Sequence, residues 1–351
     1  MSAGVLLYGA NGFVGAATAR LAVEQGLRPV LAGRDAGQLQ AQATALGVEC
    51  RVFGLADAPA IDRALADVAV VLHCAGPYRY TYEPMVEACL RTGTHYLDLT
   101  GEIPVYEALA ARDAEARARG VMILPGVGFD VVPTDCLAVH LKRRLPSATR
   151  LTLAFQSEGP AGLPPGTQRT LIELVPFGNR VRRQGRLETP ERGMKTRMID
   201  FGRGPVEATR LTWGDVVMAY HSTGIPNIED YAVLPGAMRR QMAALQYLRP
   251  LFKLAVVREL LGRGVKPGPT PDERARTVAH VWGEVEDDRG RRAVSRLHGP
   301  EPAVVWTARC ALAAVWKVLA GHAPPGFQTP ARAYGPELVL ECEGVSREDV
   351  A

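Results

Sequence analysis

Three glycines, Gly9, Gly12 and Gly15, stand three residues apart near the start of the chain. A short apolar run at 5–8 precedes them, and an Ala- and Leu-rich run from Phe13 to about Gln25 follows. Glycines between a strand and a helix make a turn that a phosphate can occupy. The first permits the tight turn, the second lets the backbone approach a pyrophosphate, and the third lets the helix pack on the strand. Backbone N–H groups at the helix start, with the helix dipole, favour the anion. Gly9, Ala10, Asn11, Gly12, Phe13, Val14 and Gly15 are therefore the expected cradle of a dinucleotide. The spacing is GxxGxxG rather than GxGxxG. Asn11 replaces the middle glycine and can bond locally or tolerate a left-handed backbone.

The end of the second strand bears on which dinucleotide binds. An acid there, about 20 residues on, would hold a ribose 2′-hydroxyl. The sequence instead reads Ala32-Gly33-Arg34. Arg34 could pair with a 2′-phosphate, favouring NADP over NAD, or be a solvated loop arginine. Asp35 suits the cap of the following helix. Farther on, Cys74, Ala75, Gly76 and Pro77 make a small turn after a fourth apolar run, placed to lie along the cofactor. Tyr78 could reach the nicotinamide or substrate, or be a buried loop tyrosine. His73 and Cys74 read as strand residues. After a sixth run, Asp130 could orient substrate or cofactor, or bond to nearby backbone amides. Tyr78 and Asp130 are thus the candidate catalytic residues. Thr134 or Asp135 reads as the cap of a helix reaching about Leu145. No Tyr-x-x-x-Lys pair occurs, and the six cysteines form no CxxC pair, so neither a zinc site nor a disulfide framework is indicated.

These residues need elements to place them. Apolar runs at 5–8, 28–32, 49–53, 69–74, 95–97 and 121–124 alternate with helical runs at 13–25, 36–46, 58–66, 83–92 and 103–119. That alternation predicts an α/β, doubly wound Rossmann domain with parallel strands. A second, mixed α+β domain follows. Its expected strands are 151–156, 211–220, 279–286, 292–297 and 338–342, and its expected helices are 167–174 and 302–319. The boundary is expected near Pro146: a dinucleotide-binding domain over 1–146, and a substrate and dimerisation domain over 147–325. The tract 180–210 holds nine Arg/Lys against four Asp/Glu, which could attract an acidic ligand or be a solvated face. The stretch 238–262 is apolar and basic. It reads as an amphipathic helix that touches lipid or a hydrophobic carrier, or that packs on its own domain or a homodimer partner.

The bulk composition narrows the function. The chain has 351 residues, 47% hydrophobic and 22% charged, with a net charge of +4. That balance is ordinary for a globular protein and too weakly basic to indicate nucleic acid. No run reaches roughly 18 uninterrupted apolar residues, so no transmembrane segment is expected. The start lacks a signal-peptide pattern, and the scattered cysteines suit a reduced, cytoplasmic protein.

Several motifs occur in order: GANGFVG, AGR, CAGPY, DLTGE at 98–102, and PGVGFDVVPTD at 125–135. PPGTQRT, WGDV, STGIPNIEDY and GFQTPARAYGPE follow. Together they resemble the saccharopine dehydrogenase-like oxidoreductases over nearly the whole chain. The resemblance implies an NADP-dependent oxidoreductase acting on a carbon–nitrogen or carbon–carbon double bond of an unidentified small-molecule or acyl substrate. It includes saccharopine reductases and trans-acting enoyl reductases, and it implies that 326–351 returns to the first domain. The alternative is a non-catalytic NADP-binding partner protein.

Overall fold

The computed structural model describes residues 3–191, 195–236, 238–240, 242, 251–252 and 254–350. The chain divides into two units, Met1–Val132 with Ala303–Tyr334, and Pro133–Pro302 with Gly335–Ala351.

The first unit is built on β1 (Ala3–Tyr8), β2 (Val30–Gly33), β3 (Cys50–Val52), β4 (Val68–His73), β5 (His95–Asp98) and β6 (Met122–Leu124). A late strand, here β15 (Gly326–Phe327), completes a seven-stranded sheet in the order β15-β6-β5-β4-β1-β2-β3. Every pairing is parallel. β1 lies between β2 and β4, where successive connections turn opposite ways, and ligands collect at such a point. Strands β1, β2 and β4 are apolar on both faces because helices cover both. These helices are α1 (Phe13–Glu24), α2 (Ala36–Leu46), α3 (Ala58–Leu65), α4 (Tyr82–Thr92), α5 (Ile103–Ala110) and α6 (Asp113–Ala118). Asp35 caps α2, accepting from the Gln38 amide at 3.0 Å, as its side chain suggests. The expected single helix 103–119 is two helices, broken at residues 111–112.

Two expectations about the domains need correcting. The first unit ends at Val132, not at 146, and the segment that returns to it is 303–334. Within that segment Thr307–Leu319 forms a helix, numbered α12 below, whose Ala311, Leu312, Ala314, Val315 and Val318 join Leu7, Leu72 and Leu97 in one core. Fully burying a Leu or Val side chain stabilises by about 1.5–3 kcal/mol. Pro302–Leu319 has the length and apolarity of a membrane span, but its apolar residues are largely core residues of this unit. The second correction is that Gly335–Ala351 belongs to the second unit. The expected strand 338–342 is a 3₁₀ turn, Leu338–Glu341, and the strand there is Ser346–Val350.

The second unit opens with α7 (Val132–Arg144), then β7 (Arg150–Glu158), α8 (Pro165–Leu174), β8 (Val181–Arg183), β9 (Arg186–Glu188), β10 (Thr196–Asp200) and β11 (Pro205–Leu211). It continues with α9 (Asp215–Thr223), β12 (Asn227–Ala232), α10 (Ala255–Gly262), α11 (Pro271–Ala275), β13 (Val278–Glu286), β14 (Arg292–Pro300) and β16 (Ser346–Val350). The main path of its sheet is β10-β11-β12-β7-β13-β14-β16, with β8 and β9 attached to β12. Only the β12–β7 pairing is parallel. β16 pairs with β14 from Val294↔Val350 to His298↔Ser346, which is why the chain end stays in this unit. The expected strand 211–220 is the end of β11 followed by α9, because Gly214 breaks the apolar run. The basic tract 180–210 spans β8 to β11, and its charges meet acids from other strands: Arg197–Glu284 at 2.7 Å, Lys195–Glu229 at 2.8 Å and Arg203–Glu158 at 3.0 Å. Most of the segment 238–250, with 253, lies outside the described residues; the rest of 238–262 includes α10.

α7 sits on β13 because Gly283 leaves room for it. A Cβ at Gly283 would stand 2.6 Å from Leu141 Cδ1 and 3.1 Å from Leu137 Cδ2. Gly283→Val should therefore overpack this layer and cost about 1–3 kcal/mol. Chemical denaturation checks this; unchanged stability would show that α7 does not depend on the close approach.

Candidate functional site

The glycine turn lies at the carboxyl end of β1. Gly9 adopts φ +81°, which an L side chain rarely adopts, and its amide donates to the Ala32 carbonyl at 2.8 Å, tying the turn to β2. A Cβ on Gly15 would stand 2.2 Å from the Gly9 carbonyl oxygen, so α1 is pressed onto the turn. Gly12 is exposed and precedes the first turn of α1, which has no side-chain cap. A Cβ on Gly9 would meet Ala75 Cβ at 2.9 Å, so the β1 and β4 turns touch at the switch point. Cys74 continues this contact, its amide donating to the Tyr8 carbonyl at 2.8 Å. Exposed backbone at Gly12, before a helix start that no side chain caps, fits a pyrophosphate. Gln42 of α2, not anticipated from the sequence, donates to the Ala10 carbonyl at 3.0 Å. Asn11 Oδ1 lies 3.1 Å from where a Gly33 Cβ would be, closing the turn over the end of β2. Arg34 is exposed just beyond that end, close enough to Tyr8 for its charge to favour the phenolate against burial.

Gly76 is exposed, while Cys74, Ala75 and Pro77 are half-buried. Burial pushes the Cys74 thiol pKa up, with the Asp98 charge adding to it, so this cysteine is no nucleophile. Tyr78 does not offer its hydroxyl outward. It is 7% exposed, and the hydroxyl donates to the His73 carbonyl at 3.3 Å. Its ring stands edge-on to His73 at 5.5 Å. Burial holds its pKa well above the ordinary range, as do the nearby Cys74, Asp98 and Glu102. Tyr78 therefore underlies the loop. His73 is neutral, its pKa pushed down by burial to about 3. Thr81 gives its hydroxyl proton to the Ala75 carbonyl at 2.7 Å, so the 3.1 Å contact requires His73 Nε2–H to donate to Thr81.

The segment after β5, DLTGE, joins the loops at this edge. Asp98 is fully buried, and its carboxyl accepts from the Tyr96 hydroxyl at 2.7 Å and from the Thr100 and Gly126 amides, each at 2.9 Å. Glu102 is 1% exposed and accepts from the Tyr78 amide at 2.7 Å and the Arg79 amide at 3.0 Å. Asp130 packs on the same segment: its Oδ2 lies 2.7 Å from where a Gly101 Cβ would be. The half-buried Asp130 is thus an acid at the rim, held beside Gly101. The Phe129 amide donates to Thr307 Oγ1 at 3.1 Å, and the Phe129 ring lies 5.2 Å from that of Trp306. Asp98 and Glu102 were not singled out from the sequence. Their signal was two acids four apart around a Thr-Gly turn.

In the second unit, three motifs converge. Thr134 and Asp135 lie inside the first turn of α7 and are not its cap. Thr134 donates to Asp215 of WGDV, and Ser222 of STGIPNIEDY donates to Asp135. Asp230 is 2% exposed, and burial raises its pKa well above the ordinary carboxylate range. A cavity of about 310 Å³ includes Arg197, Glu229, Tyr231 and Glu284 in its lining, and ion pairs cross it. A larger cavity of about 540 Å³ in the first unit, lined by Lys317, His322 and Tyr334, lies by the start of β6, not by the glycine turn.

Two experiments follow from the first-unit geometry. Gly15→Ala should lower both thermal stability and nucleotide affinity, because its methyl meets backbone. Gly12→Val should abolish nucleotide binding and lower the melting temperature less than Gly15→Ala, since a Cβ at Gly12 would stand 3.1 Å from the Gly9 carbonyl oxygen against 2.2 Å at Gly15. Thermal melts with calorimetry separate the two; retained binding in a folded Gly12→Val protein would place the nucleotide elsewhere. Asp98 gives a pH signature, since burial pushes its pKa up from 3.8 to about 6. An acid raised in this way binds more protons folded than unfolded between those values. Its contribution is present at low pH and lost as pH rises through about 6, a swing of about 3 kcal/mol. The stability difference between the protein and Asp98→Asn should decline between about pH 4 and about pH 6 and level off by about pH 7. A flat difference in denaturant unfolding would contradict the assignment.

Comparison with known proteins agrees with this geometry. Residues 5–124 match the family model of the saccharopine dehydrogenase NADP binding domain. A trans-acting enoyl reductase of Mycobacterium leprae is 41% identical over 149 residues, 40% of this chain and 36% of that protein. A mouse saccharopine dehydrogenase-like oxidoreductase is 30% identical over 181 residues, 45% of this chain and 42% of that protein. The chain thus matches about two fifths of the length of these relatives. The apo saccharopine dehydrogenase (L-Glu forming) from Saccharomyces cerevisiae superposes with a TM-score of 0.65 at 15% identity, covering 99% of this chain and 100% of that one. The fold is similar to that of saccharopine dehydrogenase, and residues 5–124 match the NADP binding domain of that enzyme.

Proposed function

We propose that the chain is an NADP-dependent oxidoreductase that moves a hydride to or from a small-molecule or acyl substrate. One observation carries this reading: a glycine turn, exposed at Gly12, touches the β4 turn through Gly9 at the switch point, inside the segment matched to an NADP-binding domain. NADP, when bound, supplies the hydride at its nicotinamide ring. The chain's own residues bind and orient. Gly9 to Gly15 hold the pyrophosphate, Arg34 pairs with the 2′-phosphate, and the turn at Cys74–Pro77 lies along the cofactor. Asp130 orients the substrate from the rim. Tyr78 holds the loop in place, because its proton is already given to a backbone carbonyl.

The 41% identity to a trans-acting enoyl reductase favours a carbon–carbon double bond in an acyl substrate. The six cysteines are free thiols, which suits action in the reducing cytoplasm. Calorimetry should show tighter binding of NADPH than NADH, and Arg34→Ala should lose about 1–3 kcal/mol for NADPH alone. Equal affinities would remove the NADP preference. A 2-enoyl thioester should stimulate NADPH oxidation, and Asp130→Asn should depress that turnover far more than NADPH binding. Binding without stimulation by either an enoyl thioester or an imine would leave the non-catalytic reading standing.

A further inference from the structure

α8 and α10 form a thin layer in the second unit. Two clamps set its geometry. Gln168 Nε2 donates to the Lys266 carbonyl at 3.1 Å while Gln168 Oε1 accepts from the Lys266 amide at 2.9 Å. Arg258 Nε donates to Glu173 at 3.0 Å, and both side chains are largely buried. Arg258 thereby faces α8, which turns Val256 and Leu260, one turn apart, away from it. Val256 is 68% and Leu260 66% exposed. Leu251, Leu254 and Leu261 are exposed around them, and α8 itself has no fully buried residue. Single exposed leucines are ordinary, but five large apolar side chains exposed within 251–261 are not.

Charge identifies the occupant. Over α8, α10 and the residues to 266, Arg169, Arg258, Arg263 and Lys266 stand against Glu173 and Glu259; Arg258 pairs with Glu173 at 3.0 Å and Arg263 with Glu259 at 3.4 Å, which leaves a net positive edge. Among the described residues Arg169, Arg240, Arg263 and Lys266 are exposed. A second copy would bring like net charge against this face, which disfavours self-association. An apolar stripe edged by cations fits a surface that is apolar beneath and anionic above.

We infer that the α8–α10 layer docks on an anionic lipid surface, with Val256 and Leu260 entering the headgroup boundary and the surrounding Arg and Lys meeting the lipid charges. The full chain is floated with phosphatidylcholine vesicles with and without phosphatidylserine, at low and high salt. Binding should be at least about tenfold stronger to the anionic vesicles and should fall as salt rises. The double variant Val256→Asp with Leu260→Asp should lose that binding while its melting temperature and NADPH affinity stay unchanged, because both residues are exposed. Absence of binding, or equal binding to neutral vesicles, would overturn the inference. So would a double variant that binds anionic vesicles as before. A fall in molar mass by light scattering in the variant would assign the face to a second copy instead.

Discussion

Two carboxyls four residues apart, Asp98 and Glu102, hold the carboxyl edge of the parallel sheet together. A buried carboxyl is costly unless donors surround it. Asp98 takes two amides and a phenol, and Glu102 takes two amides. The loops after β4 and β6 are thus both bonded to the short segment that follows β5. Asp130 and the Cys74–Pro77 turn keep their places because that segment is rigid. Leaving one buried amide unpaired costs about 1–3 kcal/mol, so the arrangement has few alternatives.

The glycine turn depends on a different constraint, which is steric. Gly9 and Gly15 are required because backbone and Ala75 occupy the space side chains would need. Gly12 differs in degree: it is exposed, and a Cβ there would stand 3.1 Å from the Gly9 carbonyl oxygen. The same residue type is therefore enclosed by packing at two positions and open to solvent at a third. The second unit meets its own constraints with hydroxyl–carboxyl pairs and cross-strand ion pairs. Its basic tract is consequently less of an anion attractor than its composition suggests.

Much of the first unit was legible. Strand and helix alternation, the turn at Gly9–Gly15 and the capping of α2 by Asp35 are local properties, set by periodicity, glycine and a short acceptor. The second unit was harder to read. The run 211–220 looked like a strand because apolar residues there are continuous, and a buried helix reads alike over so short a length. Residues 338–342 were misread for the same reason. Tyr78 was legible as a loop residue but not in the direction of its hydroxyl, which depends on a carbonyl five positions earlier in a strand end.

The sequence by itself determined the doubly wound sheet and the glycine turn, because both follow from neighbours within a few residues. Only the tertiary structure decided which segments belong to which unit. α12 lies some 300 positions from β1 in sequence yet shares its core, and β16 joins β14 from the far end of the chain. Only the tertiary structure, too, showed that Asp98 and Glu102 anchor the edge. Their donors come from residues 78, 79, 96, 100 and 126, and such convergence leaves no periodicity in the sequence to read.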